Sequence, residues 1–193
     1  MNWHLKWSAE RSTLAPSAGH SKSCMADVVD AATRSRMMAG IRVKNTRPEI
    51  IIRKGLHARG FRYSLHPKGL PGKPDIVMPR WHVTIFIHGC FWHRHGCSLS
   101  KLPVSNPAFW ESKLAANRSR DDVVKRQLAA AGWRTAIVWE CATRGRLARE
   151  RLTCLIDRLA TWIRDQDGPP TLEIAGADLL MLSSPAGDKN ISK

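Results

Sequence analysis

Between about residue 33 and residue 164 the apolar positions switch between helical and strand periods. Residues 33–42 read as a short helix. Thr46-Arg47-Pro48-Glu49 has the form of a capping box with proline in the first turn. A helix follows, with Ile50, Ile51, Leu56 and Ala58 available to its buried side and Gly60 as its stop. FRYSLH (61–66) alternates as a strand does, KGLPGKP makes a turn, and DIVM begins a second short strand. HVTIFIH (82–88) is nearly all β-branched or aromatic, the composition of a central strand. Residues 107–131 form a long amphipathic helix closed by Gly132, WRTAIVWE (133–140) another buried strand, and residues 146–164 a last amphipathic helix. The order is therefore helix, three strands, helix, strand, helix. Helices on both sides of a mixed sheet make a three-layer α/β sandwich.

The ends read differently. Residues 1–24 are rich in Ser and Ala without sustained period and are expected to form a disordered arm, with the folded domain spanning 25–165. From 166 to 193 the chain reads as a loosely ordered tail containing at most one short ordered piece, TLEIAG then DLLML. No internal repeat is visible. No apolar run approaches the ~20 residues that span a bilayer, and the first residues lack the apolar stretch of a secretory signal. The expectation is an intracellular, cytoplasmic protein.

Charge narrows the class of partner. Lys and Arg number 31 against 16 acidic residues, a formal net charge of +15. Such an excess attracts polyanions, and phosphate contacts supply most non-specific DNA affinity. It does not by itself separate DNA from RNA, an anionic membrane or a solvated basic surface.

Most of the chemical information lies in Ile87-His88-Gly89-Cys90-Phe91-Trp92-His93-Arg94-His95-Gly96-Cys97. Thiolates combined with imidazole select zinc, and a closed tetrahedral site needs four ligands. Cys90, His95 and Cys97 supply three. Cys141, directly after the strand WRTAIVWE, stands where a neighbouring strand end could bring it to this loop. These four are read as a structural zinc site that pins a loop with no core of its own. The competing reading is a free buried cysteine pair beside solvated histidines. Cys154, in an amphipathic helix, reads as core, and Cys24 has no evident partner.

His88 and His93 remain. With Asp75, at the start of the second strand, and Glu49, in the first turn of a helix, they form a set suited to phosphodiester hydrolysis. A carboxylate beside a sheet edge can hold Mg²⁺ against substrate phosphate oxygens, and an imidazole can take a proton from an attacking water. Singly, Asp75 could merely close a turn and Glu49 merely complete a capping box.

At this point the chain resembles a known family. ATRSRMMAGIR (32–42), NTRPE (45–49), LPGKPDIV (70–77), IFIHGCFWHRHGC (85–97), FWESKLAANRSRD (109–121) and GWRTAIVWEC (132–141) look like the very-short-patch repair (Vsr) endonucleases. The resemblance covers the whole presumed domain and implies a fold related to type II restriction endonucleases. In the common form of that fold Pro-Asp is followed one strand later by acid-x-Lys. Here Pro74-Asp75 is present but the next strand reads Phe86-Ile87-His88, so histidines stand where the lysine's function is needed. The resemblance implies that Asp75 and the backbone carbonyl of Ile87 bind a catalytic Mg²⁺. Family members can carry Thr at the latter position, and Ile keeps the carbonyl. It further implies that Glu49 acts on the metal through water, that His93 activates the nucleophilic water and that His88 contacts the scissile phosphate. The zinc ligands it implies coincide with the four above.

By the same resemblance Phe91, Trp92 and Trp110 are side chains that wedge into the base stack beside a mismatch, with Met38 inserting from the opposite groove. Unstacking costs less at a mismatch, and aromatic faces replace the lost stacking. Without the resemblance Trp110 would read as core, while Trp133 and Trp139 alternate along a buried strand as packing residues. The implied activity is nicking of the thymine strand of double-stranded DNA at a T·G mismatch left by deamination of 5-methylcytosine. The enzyme would act as a monomer in the bacterial nucleoid and accompany a cytosine-5 DNA methyltransferase. Two rivals remain: a restriction-type nuclease on perfect duplex, and a non-catalytic zinc-stabilised DNA-binding module.

Overall fold

A computed structural model describes residues 32, 33, 36, 40, 44–145 and 148–179 of the chain. Of the expected helix at 33–42, Thr33 and Arg36 are helical. Gly40 is in a turn, its N–H donating to the Arg36 carbonyl, and the other positions of that stretch, Met38 included, together with the expected arm at 1–24 lie outside the described residues.

Helix α1 (Arg47–Ala58) starts at the expected capping box: the Glu49 N–H donates to Thr46 Oγ1, and the Glu49 side chain accepts from the Thr46 N–H. Its buried stripe is Glu49, Ile52, Arg53 and Leu56, spaced i, i+3, i+4, i+7. This corrects the expected face. Leu56 is buried as expected, but Ile50 is 40% exposed, Ile51 half-buried and Ala58 exposed. The phase is set by Glu49 and Arg53, whose side chains pair on the inner side of the helix.

The sheet has five strands: β1 (Ser64–Leu65), β2 (Ile76–Met78), β3 (Val83–His88), β4 (Arg134–Trp139) and β5 (Thr171–Ile174), in that spatial order. β1 and β2, and β2 and β3, pair antiparallel; β3 with β4, and β4 with β5, pair parallel. Each parallel step carries a helix, α2 (Pro107–Ala130) and α3 (Ala148–Arg164) respectively. The FRYSLH strand is shorter than its alternation suggests: only Ser64 and Leu65 pair with β2, and His66 then turns the chain into the left-handed region at φ +45°.

Alternation along the two central strands divides the core. Val83 and Ile85 of β3 and Ala136 and Val138 of β4 face Ile52, Leu56, Leu155, Leu159 and Ile163 of α1 and α3. Phe86 and Ile137 face the opposite way, with Leu128 of α2. The result is a mixed sheet with helices on both faces, as the sequence predicts. Among the described residues no helix is long and apolar enough to cross a membrane.

At the C-terminal end the short ordered piece expected beyond Asp165, TLEIAG then DLLML, contains edge strand β5, and Ile174 and Leu179 are fully buried. Only four residues long, β5 is too brief for its period to stand out; its partner β4 makes it a strand.

Candidate active site and metal centre

The C-terminal end of β3 is the organising point. Ile87 points into the α1/α3 core and His88 to the α2 side, so consecutive residues reach opposite faces of the sheet. Ligands of parallel α/β sheets commonly gather at the carboxyl ends of strands.

On the α1 face Asp75, Glu49 and His66 each bring one ligand atom within 4.8 Å of the others. The Ile87 N–H donates to Asp75 Oδ2 at 2.7 Å, and the Asp75 N–H donates to Ile85 O. The strand that carries Ile87 therefore orients the carboxylate. Burial pushes the Asp75 carboxyl up to about 6; the Ile87 N–H pulls it down and the Glu49 charge adds to the rise. Such a carboxylate gains from a cation beside it. Glu49 is 3% exposed and fully engaged. Its Oε1 accepts from Thr46 Oγ1 at 2.9 Å and from the Thr46 N–H, and its Oε2 accepts from Arg53 and from the Asn45 N–H at 3.0 Å. It is thus at once a helix-capping residue and a neighbour of Asp75. His66 lies 3.7 Å from both carboxylates; burial first, then Arg53, lowers its pKa.

On the α2 face His88, His93 and Asp121 form a second group within the same distance. The imidazoles of His88 and His93 stack with centroids 3.7 Å apart and planes 8° from parallel. His93 Nδ1 meets Asp121 Oδ2 at 2.6 Å. Burial, followed by the charge of His93, lowers His88 to about 3, so it is a neutral imidazole at physiological pH. Burial raises the Asp121 carboxyl, but its bond and charge interaction with His93 outweigh this and leave it below its ordinary value. Asp121 closes the motif FWESKLAANRSRD, yet no local pattern distinguishes it from a solvated helical acid. Its partner is 28 residues away in sequence. His66 and Arg53 are likewise joined to the site only by the fold.

The four expected metal ligands come together. One atom each of Cys90, His95, Cys97 and Cys141 lies within 4.8 Å of the rest, with Cys141 Sγ 3.6 Å from His95 Nδ1. Zn–S bonds near 2.3 Å and Zn–N bonds near 2.0 Å would set tetrahedral ligands roughly 3.3–3.8 Å apart, so the donor set and its spacing fit a closed metal centre. Burial raises both the Cys90 and the Cys141 thiols, a cost that a bound cation would reverse. The cluster has outer support. The Cys141 N–H donates to Cys90 Sγ at 3.4 Å, the Gly176 N–H donates to Cys141 Sγ at 3.3 Å, and His95 stacks on Trp139 at 4.3 Å. A Cβ on Gly176 would sit 2.8 Å from the Cys141 carbonyl oxygen, so only glycine allows this approach. Cys154 packs against the core as expected.

Phe91, Trp92 and Trp110 gather into one half-buried patch, with centroid separations of 5.1 Å for Phe91–Trp92, 5.3 Å for Phe91–Trp110 and 6.2 Å for Trp92–Trp110. Trp110 is therefore not enclosed in the core. Phe109, 42% exposed and not singled out by the sequence pattern, extends the patch, and Lys113 Nζ lies within 6 Å of the Trp92, Phe109 and Trp110 rings. Asn117 Nδ2 donates to the Trp92 carbonyl and ties the Cys/His loop to α2.

A profile of the DNA mismatch endonuclease Vsr family matches residues 26–99. The chain is 49% identical over 117 residues to the type II nicking enzyme V.XorIIP of Xanthomonas oryzae pv. oryzae, covering 61% of this chain and 86% of that protein. It is 40% identical over 158 residues to the DNA mismatch endonuclease Vsr of Escherichia coli, covering 81% and 99% respectively. It is also 40% identical over 133 residues to the type II nicking enzyme V.NmeAIP of Neisseria meningitidis, covering 68% and 95%. With its acid–histidine groups at one strand end, its Cys/His cluster beside them and an alignment running nearly the full length of such a relative, this chain belongs to the Vsr family of DNA mismatch endonucleases.

Proposed function

We propose that this protein is a Mg²⁺-dependent, strand-specific endonuclease that nicks the thymine strand at T·G mismatches arising from deamination of 5-methylcytosine, leaving a 5′-phosphate. The observation that carries the reading is the convergence of Asp75, Glu49, His88, His93 and Asp121 on the end of one strand. Asp75 and the Ile87 carbonyl would hold the Mg²⁺, which when bound polarises a phosphate oxygen. Asp121 orients His93 through Nδ1 and leaves Nε2 as the basic nitrogen that takes a proton from the attacking water. Neutral His88, stacked on His93, acts on the scissile phosphate as a hydrogen-bond donor rather than as a cation.

In the same reading Cys90, His95, Cys97 and Cys141 hold a structural Zn²⁺. The fold is of the restriction-endonuclease type. Phe91, Trp92 and Trp110 wedge beside the mismatch, with Met38 entering from the opposite groove. The half-buried aromatic patch supports the wedge, because such rings can stack on exposed bases without dismantling the core. The protein works as a monomer in the cytoplasm on nucleoid DNA, alongside a cytosine-5 DNA methyltransferase whose target sets the preferred context.

The test is Mg²⁺-dependent nicking of strand-labelled duplexes of one sequence carrying T·G or T·A, across candidate methyltransferase sites. A single cut on the thymine strand of the T·G duplex alone is expected. Equal cutting of both duplexes would favour a restriction-type nuclease. Tight mismatch binding without cleavage at any Mg²⁺ concentration would favour a non-catalytic module.

A further inference from the structure

We infer that His66 is a positioning residue for Asp75, holding the carboxylate oxygen that Ile87 leaves free, with its own tautomer set by Arg53. The inference rests on the reading of Asp75 as the cation-binding carboxylate. Arg53 Nη1 donates to Asn45 Oδ1 at 2.6 Å, and its Nη2 lies beside Glu49 Oε2 and 3.0 Å from His66 Nε2. A guanidinium has donors only, so His66 Nε2 must accept and the ring proton sits on Nδ1. Nδ1 faces Asp75 Oδ1 at 3.7 Å, while Asp75 Oδ2 takes the Ile87 N–H. Catalytic contacts are often long before the site is loaded and tighten afterwards.

The backbone brings the ring to this place. His66 sits at φ +45°, in the left-handed region that histidine enters more readily than most residues other than glycine. This turn ends β1 beside Asp75 rather than continuing along the sheet edge. Direct ligation of a cation by His66 is the other arrangement that the Glu49–His66–Asp75 grouping allows. It would free Nδ1 only by moving the proton to Nε2, against the Arg53 N–H.

The experiment is Mn²⁺ binding to the zinc-loaded full chain without DNA, by titration calorimetry. Asp75→Asn identifies the site, His66→Gly removes the side chain without strain at positive φ, and His66→Asn keeps a donor where Nδ1 stands. Wild type should bind Mn²⁺ in an Asp75-dependent manner. His66→Gly should bind about tenfold more weakly, the loss of one hydrogen bond to a charged group. His66→Asn should stay within about threefold of wild type, with zinc content unchanged in both variants. A glycine variant that binds like wild type, or an asparagine variant that falls as far as glycine, would overturn the inference. Absence of any Asp75-dependent site in wild type would sink the cation-site reading and this inference together. Imidazole ¹⁵N shifts of wild type supply a check that needs no variant: His66 protonated on Nδ1 is expected, and protonation on Nε2 refutes it.

Discussion

Replacing Asp75 by Asn should abolish nicking and at the same time stabilise the fold when no Mg²⁺ is present. The carboxyl rises from 3.8 to about 6, chiefly through burial. A raised folded-state value means that the group's contribution to stability is fully present below the unfolded value of 3.8 and is lost as pH rises through about 6. A rise of that size corresponds to a cost of about 3 kcal/mol once the carboxylate is ionised. Asparagine keeps an acceptor for the Ile87 N–H and carries no charge. It returns part of the gain because its amide nitrogen faces His66, so a net stabilisation of about 2 kcal/mol is expected at pH 8. For a domain of this size that is a rise of about 4–8 °C in melting temperature. The assay is thermal or urea unfolding of zinc-loaded protein at pH 8 and pH 4.5, beside a nicking assay. The advantage should nearly vanish at pH 4.5, where the folded wild type carries Asp75 protonated, the ionisation cost falls to about 1 kcal/mol and the amide's offset cancels it. A variant no more stable than wild type at pH 8, or equally advantaged at both pH values, would refute the reasoning. Saturating Mg²⁺ should narrow the gap at pH 8, since the cation stabilises only the wild-type site.

Three other outcomes follow from particular contacts. Asp121→Asn exchanges the charged partner of His93 for an amide and should lower kcat by about 10- to 100-fold, with zinc content and melting temperature near wild type, read from nicking rates and metal analysis. Gly176→Ala drives a Cβ against the Cys141 carbonyl and should speed zinc loss to a chelator while leaving the Mn²⁺ affinity of Asp75 unchanged; identical zinc-release rates would contradict it. Glu49→Gln strips the charge partner from buried Arg53 and should destabilise the protein by about 3 kcal/mol in urea unfolding.

Local order was legible where neighbours in sequence are neighbours in space. The capping box at Thr46, the helix of 107–131 and the two central strands follow from propensity and period, which act within a few residues. The grouping of Cys90, His95 and Cys97 was legible because one loop carries all three, and Cys141 because its strand leads to the same end of the sheet. The face of α1 was not legible. A run of three isoleucines, 50–52, offers several apolar phases, and the buried Glu49–Arg53 pair that decides among them is polar.

The sequence by itself therefore determined the α/β class, the candidate chemistry of the His/Cys loop and the family resemblance, since each is written in contiguous residues. Only the tertiary structure decided which acids serve which histidines. Asp121 reaches His93 from a separate helix, and His66 reaches Asp75 from the edge of the sheet. It also decided that residues 171–174 are a strand and that Gly176 supports Cys141. These pairings join segments far apart in the chain, and their energies exist only once sheet and helices have brought them into contact. No period or propensity of the separate segments encodes them.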